Sequence, residues 1–344
     1  MAQSRRPNIL SLTQMHESGM SLLREAGDLR LASGTDPQTL QREVVGADAL
    51  IIRTGGIVDA ALMDRGKDLK VVGRHGVGYD AIDVPAATER GIQVVYTPGA
   101  NTQSVAEHVF MMMIGVSKHF TRMQAAVNAF DYHGRVRYTG RDLAGRTLGI
   151  IGFGRIGRRV GAMARQAFGM RVLYNDIVAA PPEIEEQAGA RRVGFQELLA
   201  ASEYVTLHVP LDDSTRGLIR EETLALMRAD AILINACRGP VVIERDVALA
   251  LDAGRLWGYA ADVFEEEPPP KGHPLIGRPD VMFTPHSAAQ TVEGLTNMAT
   301  TVAQEIIAVL RGELPRNPVN DPVAVEAQRR RLGLPPLYVQ PEGV

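Results

Sequence analysis

Three places in the chain combine residue types that can do chemistry together. The first is "GIIGFGRIG", where Gly152, Gly154 and Gly157 fall in G-x-G-x-x-G spacing. Glycines so spaced permit a tight turn, close approach of backbone to a pyrophosphate, and close helix–strand packing, with amides at the helix start facing the phosphate charge. Asp176 stands 19 residues beyond Gly157, at the end of "RVLYND". A carboxylate there accepts hydrogen bonds from an adenosine ribose diol and repels a 2′-phosphate. No basic residue follows at once ("NDIVAA"), so NAD is expected over NADP. The second place is "ILINACRGP" (232–240), an apolar run ending in a turn that holds Arg238. That arginine is either an ordinary surface residue or a fork-shaped donor for a substrate carboxylate. The third pairs His286 in "MFTPHSAA" with "ADVFEEEPPP" (261–270), three glutamates braced by three prolines. A carboxylate beside an imidazole orients the ring and favours its protonated form, which suits a proton donor to a carbonyl oxygen. Nicotinamide site, arginine and histidine–carboxylate pair together suit reversible hydride transfer to a 2-oxo acid, the cofactor carrying the hydride.

These residues need strands that end where they begin. Short apolar runs alternate with helix-like segments, which predicts α/β architecture with parallel sheets. "NILSLT", "LRLA", "ALIIR", "KVVGR" and "IQVVY" read as a first set of strands. A second set runs through "RTLGIIG", "RVLYND", "YVTLHVP", "AILINACRGP", "LWGYAADV" and "VMFTPH". Long helices are predicted from about Ser104 and over about 291–310. In an open α/β sheet, ligands bind beyond the carboxyl ends of the strands, where Arg238, the glutamates and His286 all fall.

Length and composition narrow the function classes. At 344 residues two domains are expected. Hydrophobic residues make up 45% and charged residues 22%, as in a soluble globular protein. A net charge of −3 gives no basic footprint for nucleic acid and no bias to a membrane surface. The longest apolar run, "VFMMMIGV", is far short of a membrane span, and the N-terminal stretch lacks the apolar region of a signal peptide. The single cysteine, Cys237, excludes an intramolecular disulfide. The histidines outside the pair (His16, His75, His108, His119, His133, His208 and His273) show no metal-ligand spacing, so no metal is expected. A cytoplasmic location is the expectation.

The segments "GRHGVGYDAIDV", "TPGANTQSVAEH", "GIIGFGRIG", "LHVPLDDSTRGLI", "INACRGP", "DVFEEEP" and "TPH" occur in an order that resembles the D-isomer-specific 2-hydroxyacid dehydrogenase family over nearly the whole chain. The resemblance implies a discontinuous flavodoxin-like substrate domain (1–100 and 288–320) and an inserted NAD-binding Rossmann domain (101–287), joined by hinge helices. The rest, 321–344, reads as a surface extension of no assigned role. It implies Arg238 as the substrate arginine, Glu267, the last before the prolines, as the orienting carboxylate, and His286 as the acid/base. The other two glutamates are expected to face solvent. On the substrate side it implies backbone amides of Val77 and Gly78 in the loop Gly76–Gly78, with Arg53 facing the substrate; His75 adjoins that loop and can tune specificity. On the cofactor side it implies Arg155 and Ile156 at the pyrophosphate, Asp176 at the ribose and Ser104 from the first long helix. His208, Pro210, Thr215, Cys237 and Asp262 would line the remainder. Cys237 is read as a small packing residue and His108 as a buried helix histidine with a hydrogen-bond partner.

Within the family, "GRHGVG" and "PGANTQSVAEH" look closest to D-3-phosphoglycerate dehydrogenases. Three departures bear on the substrate: "SAA" after the histidine, cysteine at 237, and no C-terminal regulatory extension. The substrate implied is a small anionic 2-hydroxy acid, with hydroxypyruvate, glyoxylate or a sulfonated acid as alternatives, and the expected assembly is a homodimer through the helix after "SVAEH". A different reading of the same fold is a dinucleotide-sensing corepressor; turnover of a 2-oxo acid separates the two.

Overall fold

The computed structural model describes residues 5–338. The chain divides into two units, one of Met1–Asn101 with Thr291–Val344 and the other of Thr102–Gln290. The first begins with β1 (Asn8–Ser11), α1 (Glu17–Ala26), β2 (Asp28–Leu31), α2 (Pro37–Glu43), β3 (Ala49–Ile52), α3 (Ala60–Arg65), β4 (Val71–Arg74), α4 (Val84–Glu89) and β5 (Gln93–Val95). The second holds α5 (Thr102–Ser117), α6 (Phe120–Asn128), α7 (Gly134–Arg137), β6 (Thr147–Ile151), α8 (Arg155–Phe168), β7 (Arg171–Asn175), α9 (Pro182–Ala188) and β8 (Ala190–Arg192). It continues with α10 (Phe195–Ala201), β9 (Tyr204–Leu207), α11 (Glu221–Leu224), β10 (Ile232–Asn235), α12 (Glu244–Asp252), β11 (Gly258–Ala261) and β12 (Val281–Phe283). Two last helices, α13 (Val292–Leu310) and α14 (Pro322–Arg331), return to the first unit.

Both sheets are parallel throughout. The first has the order β2-β1-β3-β4-β5, the flavodoxin-type arrangement. The second has the order β12-β11-β10-β9-β6-β7-β8, which reverses direction between β6 and β9 as in a doubly wound dinucleotide-binding sheet. Such strands are covered on both faces, which is why "ALII", "TLGII" and "YVTL" are buried at every position. In the first sheet Leu10, Leu50, Ile52 and Val72 supply one core, and Ile9, Ile51 and Val71 supply another against α13. Thr291 caps α13 by accepting the Gly294 N–H at 2.9 Å.

Two features differ from the sequence expectation. Strand β8 escapes it because "ARR" is a three-residue, largely exposed edge strand with no apolar alternation. The stretch from 321, expected as a surface extension, holds helix α14, capped by Asp321 and started by Pro322. Val325 is buried there, and Arg329, also buried, donates to the carbonyls of Gly91 (2.9 Å) and Pro335 (2.7 Å). A buried arginine with backbone acceptors is indistinguishable in sequence from a solvated one, so "RRR" concealed the packing. Residues 339–344 of that stretch lie outside the described residues.

Candidate active site

In the second unit, the loop from β6 to α8 shows how each glycine is used. Gly152 has φ +89°, and a Cβ there would lie 2.4 Å from the His208 carbonyl oxygen. A Cβ at Gly157 would lie 2.2 Å from the Gly152 oxygen, so this glycine lets α8 close onto the loop. Gly154, the N-cap of α8, has nothing within 4 Å of a Cβ position, and no side chain caps the helix. This bare helix start, with Arg155 and Ile156 in its first turn, has the room and the unpaired amides that a pyrophosphate requires. At the end of β7, Asp176 accepts the N–H of Phe153 (2.6 Å) through Oδ2 and that of Val178 (2.9 Å) through Oδ1. A carboxylate accepts about four hydrogen bonds, so capacity for a ribose diol remains. Those features fit a dinucleotide. Arg192, which the sequence reading missed, arrives from β8 and donates to the Asp176 carbonyl at 2.7 Å. Its separation of 16 residues hid it; only sheet pairing brings it there.

The other expected cofactor residues lie in the same unit. Ser104 is buried in the first turn of α5. His208 follows β9, bonded to Thr206 Oγ1 at 3.0 Å, and burial of its ring pushes its pKa down to about 3, so it is neutral. Thr215 donates to the Pro210 carbonyl at 2.7 Å, and Asp212 Oδ1 gathers the N–H groups of Ser214 and Thr215, so the 210–215 turn is held by its own side chains.

At the end of β10, Asn235 shapes the turn that presents Arg238. Its Oδ1 accepts from the Cys237 N–H and Sγ (both 3.1 Å), and its Nδ2 donates to the Arg238 carbonyl (2.9 Å). Burial pushes the Cys237 thiol up to about 11, so it is no thiolate nucleophile at neutral pH. The Arg238 Nη1 donates to the Cys237 carbonyl at 2.7 Å. A Cβ at Gly239 would lie 1.7 Å from the Phe264 oxygen, so backbone meets backbone between this turn and the loop after β11.

That loop carries Glu267, whose Oε2 lies 2.8 Å from Nδ1 of His286 while Oε1 accepts the Phe264 N–H at 3.2 Å. Burial raises the Glu267 pKa, but the His286 hydrogen bond and charge, the Phe264 N–H and Arg238 outweigh it and hold the carboxyl below its ordinary value. His286 itself has a left-handed backbone, φ +52°, sustained by its N–H donating to the Asp262 carbonyl at 2.7 Å. The sequence reading thus located both members of the pair, and the fold joins them.

Asp262 and Glu265 make contacts that the sequence did not show. Asp262, expected beside the cofactor, is 1% exposed, and both carboxylate oxygens are engaged. They accept the Thr284 hydroxyl (2.6 Å) and the N–H groups of Ser287 (2.7 Å) and Ala288 (2.8 Å), so Asp262 holds the turn that carries His286. His108, on α5, reaches Thr284 Oγ1 at 2.8 Å. Glu265 and Glu266 are exposed, as expected, and Glu265 also accepts the Glu244 N–H at 2.7 Å. The buried Glu244 and His273, which no motif marked, pair at 2.9 Å behind the same loop.

In the first unit the expected substrate residues end strands β3 and β4. The register Ile52↔Arg74 sets Arg53 beside His75. Arg74, another residue missed from sequence, straps the region: its guanidinium donates to the Gly78 carbonyl (2.5 Å) and to the Arg53 carbonyl. Gly76 donates its N–H to Thr97 Oγ1 at 3.0 Å, which fixes the loop through Val77. His75 is 2% exposed, and burial, with Arg53 and Arg74 nearby, drives its pKa down to about 4. Neither of its ring nitrogens has a hydrogen-bond partner, nor has the buried Thr13 Oγ1.

Among the described residues no group of His, Cys, Asp and Glu is arranged to hold a metal ion, and no helix is long and apolar enough to cross a membrane. Residues 110–288 match the family model described as the D-isomer specific 2-hydroxyacid dehydrogenase, NAD binding domain. The chain is 40% identical over 315 residues to a D-3-phosphoglycerate dehydrogenase of Methanocaldococcus jannaschii, covering 91% of this chain and 59% of that protein. It is 36% identical over 324 residues to a glyoxylate reductase of Korarchaeum cryptofilum, covering 92% of this chain and 97% of that one. The crystal structure of a glyoxylate reductase from Paecilomyes thermophila superposes with a TM-score of 0.84 at 30% identity, covering 91% of this chain and 98% of that chain.

Proposed function

The chain belongs to the D-isomer specific 2-hydroxyacid dehydrogenase family, and we propose that it is an NAD-dependent oxidoreductase interconverting a small anionic 2-hydroxy acid and its 2-oxo acid, of the 3-phosphoglycerate type. The observation that carries this reading is the 2.8 Å Glu267–His286 pair on loops at the carboxyl ends of β11 and β12, next to the Arg238 turn. NAD, held by the Gly152–Gly157 loop, Asp176 and Ser104, would accept or supply the hydride. Arg238 offers a guanidinium fork to a carboxylate, the same group that the backbone amides of Val77 and Gly78 are suited to bind. Glu267 keeps the proton of His286 on Nδ1, which leaves Nε2 to exchange a proton with the substrate oxygen. In reduction Nε2–H protonates the nascent alkoxide; in oxidation the unprotonated Nε2 removes the hydroxyl proton.

A second substrate reading has its own support. The chain spans about half to three fifths of the phosphoglycerate dehydrogenases it matches, but 97% of a glyoxylate reductase. Hydroxypyruvate or glyoxylate is therefore the alternative substrate. The test is NADH oxidation against 3-phosphohydroxypyruvate, hydroxypyruvate, glyoxylate and sulfopyruvate, run beside NADPH. The reading expects kcat/KM highest for the phosphorylated acid with NADH. Preference for glyoxylate selects the alternative, NADPH preference refutes the role of Asp176, and NADH binding without turnover favours the corepressor reading.

We further propose a homodimer and a cytoplasmic location. The stretch from α5 to α7 exposes Met111, Ile114, Phe120, Val127, Phe130 (between α6 and α7) and Val136. Phe130 is 97% exposed, a large apolar ring that a partner chain would cover.

A further inference from the structure

The loop that presents Glu267 is fastened at both ends to one buried side chain. Glu244 opens α12 with 4% exposure. Its Oε2 accepts the Glu265 N–H at 3.2 Å, and its own N–H donates to Glu265 Oε2 at 2.7 Å, a reciprocal pair ahead of Glu267. Beyond Glu267 the same Oε2 accepts from Nε2 of His273 at 2.9 Å. The Leu275 N–H donates to Nδ1 of His273 (3.3 Å), which leaves the ring proton on Nε2, directed at Glu244. The His273 ring stands edge-on to Phe264 and Phe283, centroids 5.6 and 6.1 Å away, which seals the clamp. Burial raises the Glu244 carboxyl and His273 partly offsets that.

Keeping an acidic side chain in such a place is costly unless its bonds serve a purpose. Three residues after Phe264, the chain must place Glu267 so that Oε1 meets the Phe264 N–H while Oε2 meets His286. The bonds to Glu244 hold the loop on both sides of Glu267, at Glu265 and at His273. We propose that Glu244, with His273, is a positioning residue for the reaction: it sets the loop so that Glu267 meets His286, without touching substrate or cofactor. This rests on the acid/base reading of that pair.

The test is a double-mutant cycle with a rescue. Glu244→Gln retains an oxygen acceptor for Glu265 and His273 and should keep kcat within about twofold of wild type. Glu244→Ala removes the acceptor and should lower kcat about tenfold or more, with the NADH Kd unchanged. In a Glu267→Ala background the same Glu244→Ala change should cost under about twofold, because the residue it positions is gone. His273→Phe keeps the aromatic packing, loses the N–H, and should lower kcat in the same way if Glu244→Ala does not fold. Full kcat in Glu244→Ala or His273→Phe, equal loss in the glutamine and alanine variants, or undiminished loss in the Glu267→Ala background would each overturn the proposal. A readout independent of turnover is the downfield proton signal of His286 Nδ1–H, identified by its loss in His286→Ala. It should persist in Glu244→Gln and vanish in Glu244→Ala; persistence in both refutes the positioning role even if no 2-oxo acid is turned over, whereas absent wild-type turnover refutes only the acid/base reading.

Discussion

Exchanging Glu267 for glutamine keeps the shape of the side chain and removes its charge. In the structure Oε1 serves an N–H donor, Phe264, and Oε2 faces Nδ1 of His286 at 2.8 Å. An amide satisfies Phe264 only with its oxygen, which turns its NH2 toward Nδ1 and favours the tautomer with the proton on Nε2. That neutral ring is the wrong form in both directions: it is a poor acid for reduction and no base for oxidation. A hydrogen bond to a charged group contributes about 1.5–3 kcal/mol. The His286 and Glu267 side chains are 51% and 39% exposed, so solvent screening reduces this to about 1–2 kcal/mol. At about 1.4 kcal/mol per decade, kcat should fall about tenfold. Steady-state turnover in both directions measures it, with NADH fluorescence titration as the control, since Glu267 is not among the residues assigned to the cofactor. A variant with kcat within twofold of wild type in both directions refutes the tautomer argument. So does a loss that appears in NADH affinity.

The glycine loop predicts a contrast. Gly154→Ala, with open space around its Cβ, should leave thermal stability nearly unchanged and weaken NADH binding, whereas Gly157→Ala, 2.2 Å from a carbonyl oxygen, should lower the melting temperature; calorimetry with NADH titration separates them. His75 makes stability depend on pH. Its folded pKa of about 4 lies below the ordinary 6.5, so nothing is lost above pH 6.5, but as pH falls toward 4 the unfolded chain alone takes up the proton. The deficit grows to about 3 kcal/mol, and His75→Phe should show a flatter melting temperature between pH 6.5 and 4; equal slopes would count against a buried neutral ring. Phe130→Asp should convert a dimer to monomer in light scattering, with an unchanged scattering mass opposing the assigned interface.

The sequence alone marked every strand but β8 and the residue types that stand at the strand ends. Period and apolar content mark β1, β6 and β10 because buried parallel strands leave unbroken runs, and the glycine spacing and the proline-braced glutamates are local patterns. It also singled out Glu267 and His286 as partners, through the order of motifs. What it could not show are contacts made by residues whose types are common on surfaces. Arg74 as a strap, Arg192 at Asp176, Arg329 within the first unit, and Glu244 with His273 read as ordinary charges, because pairing in a fold depends on strand order and loop closure. Asp262 illustrates the reason most plainly. Its position in the motif is fixed by sequence, but what its two oxygens accept is decided by where β12 ends and its turn folds back.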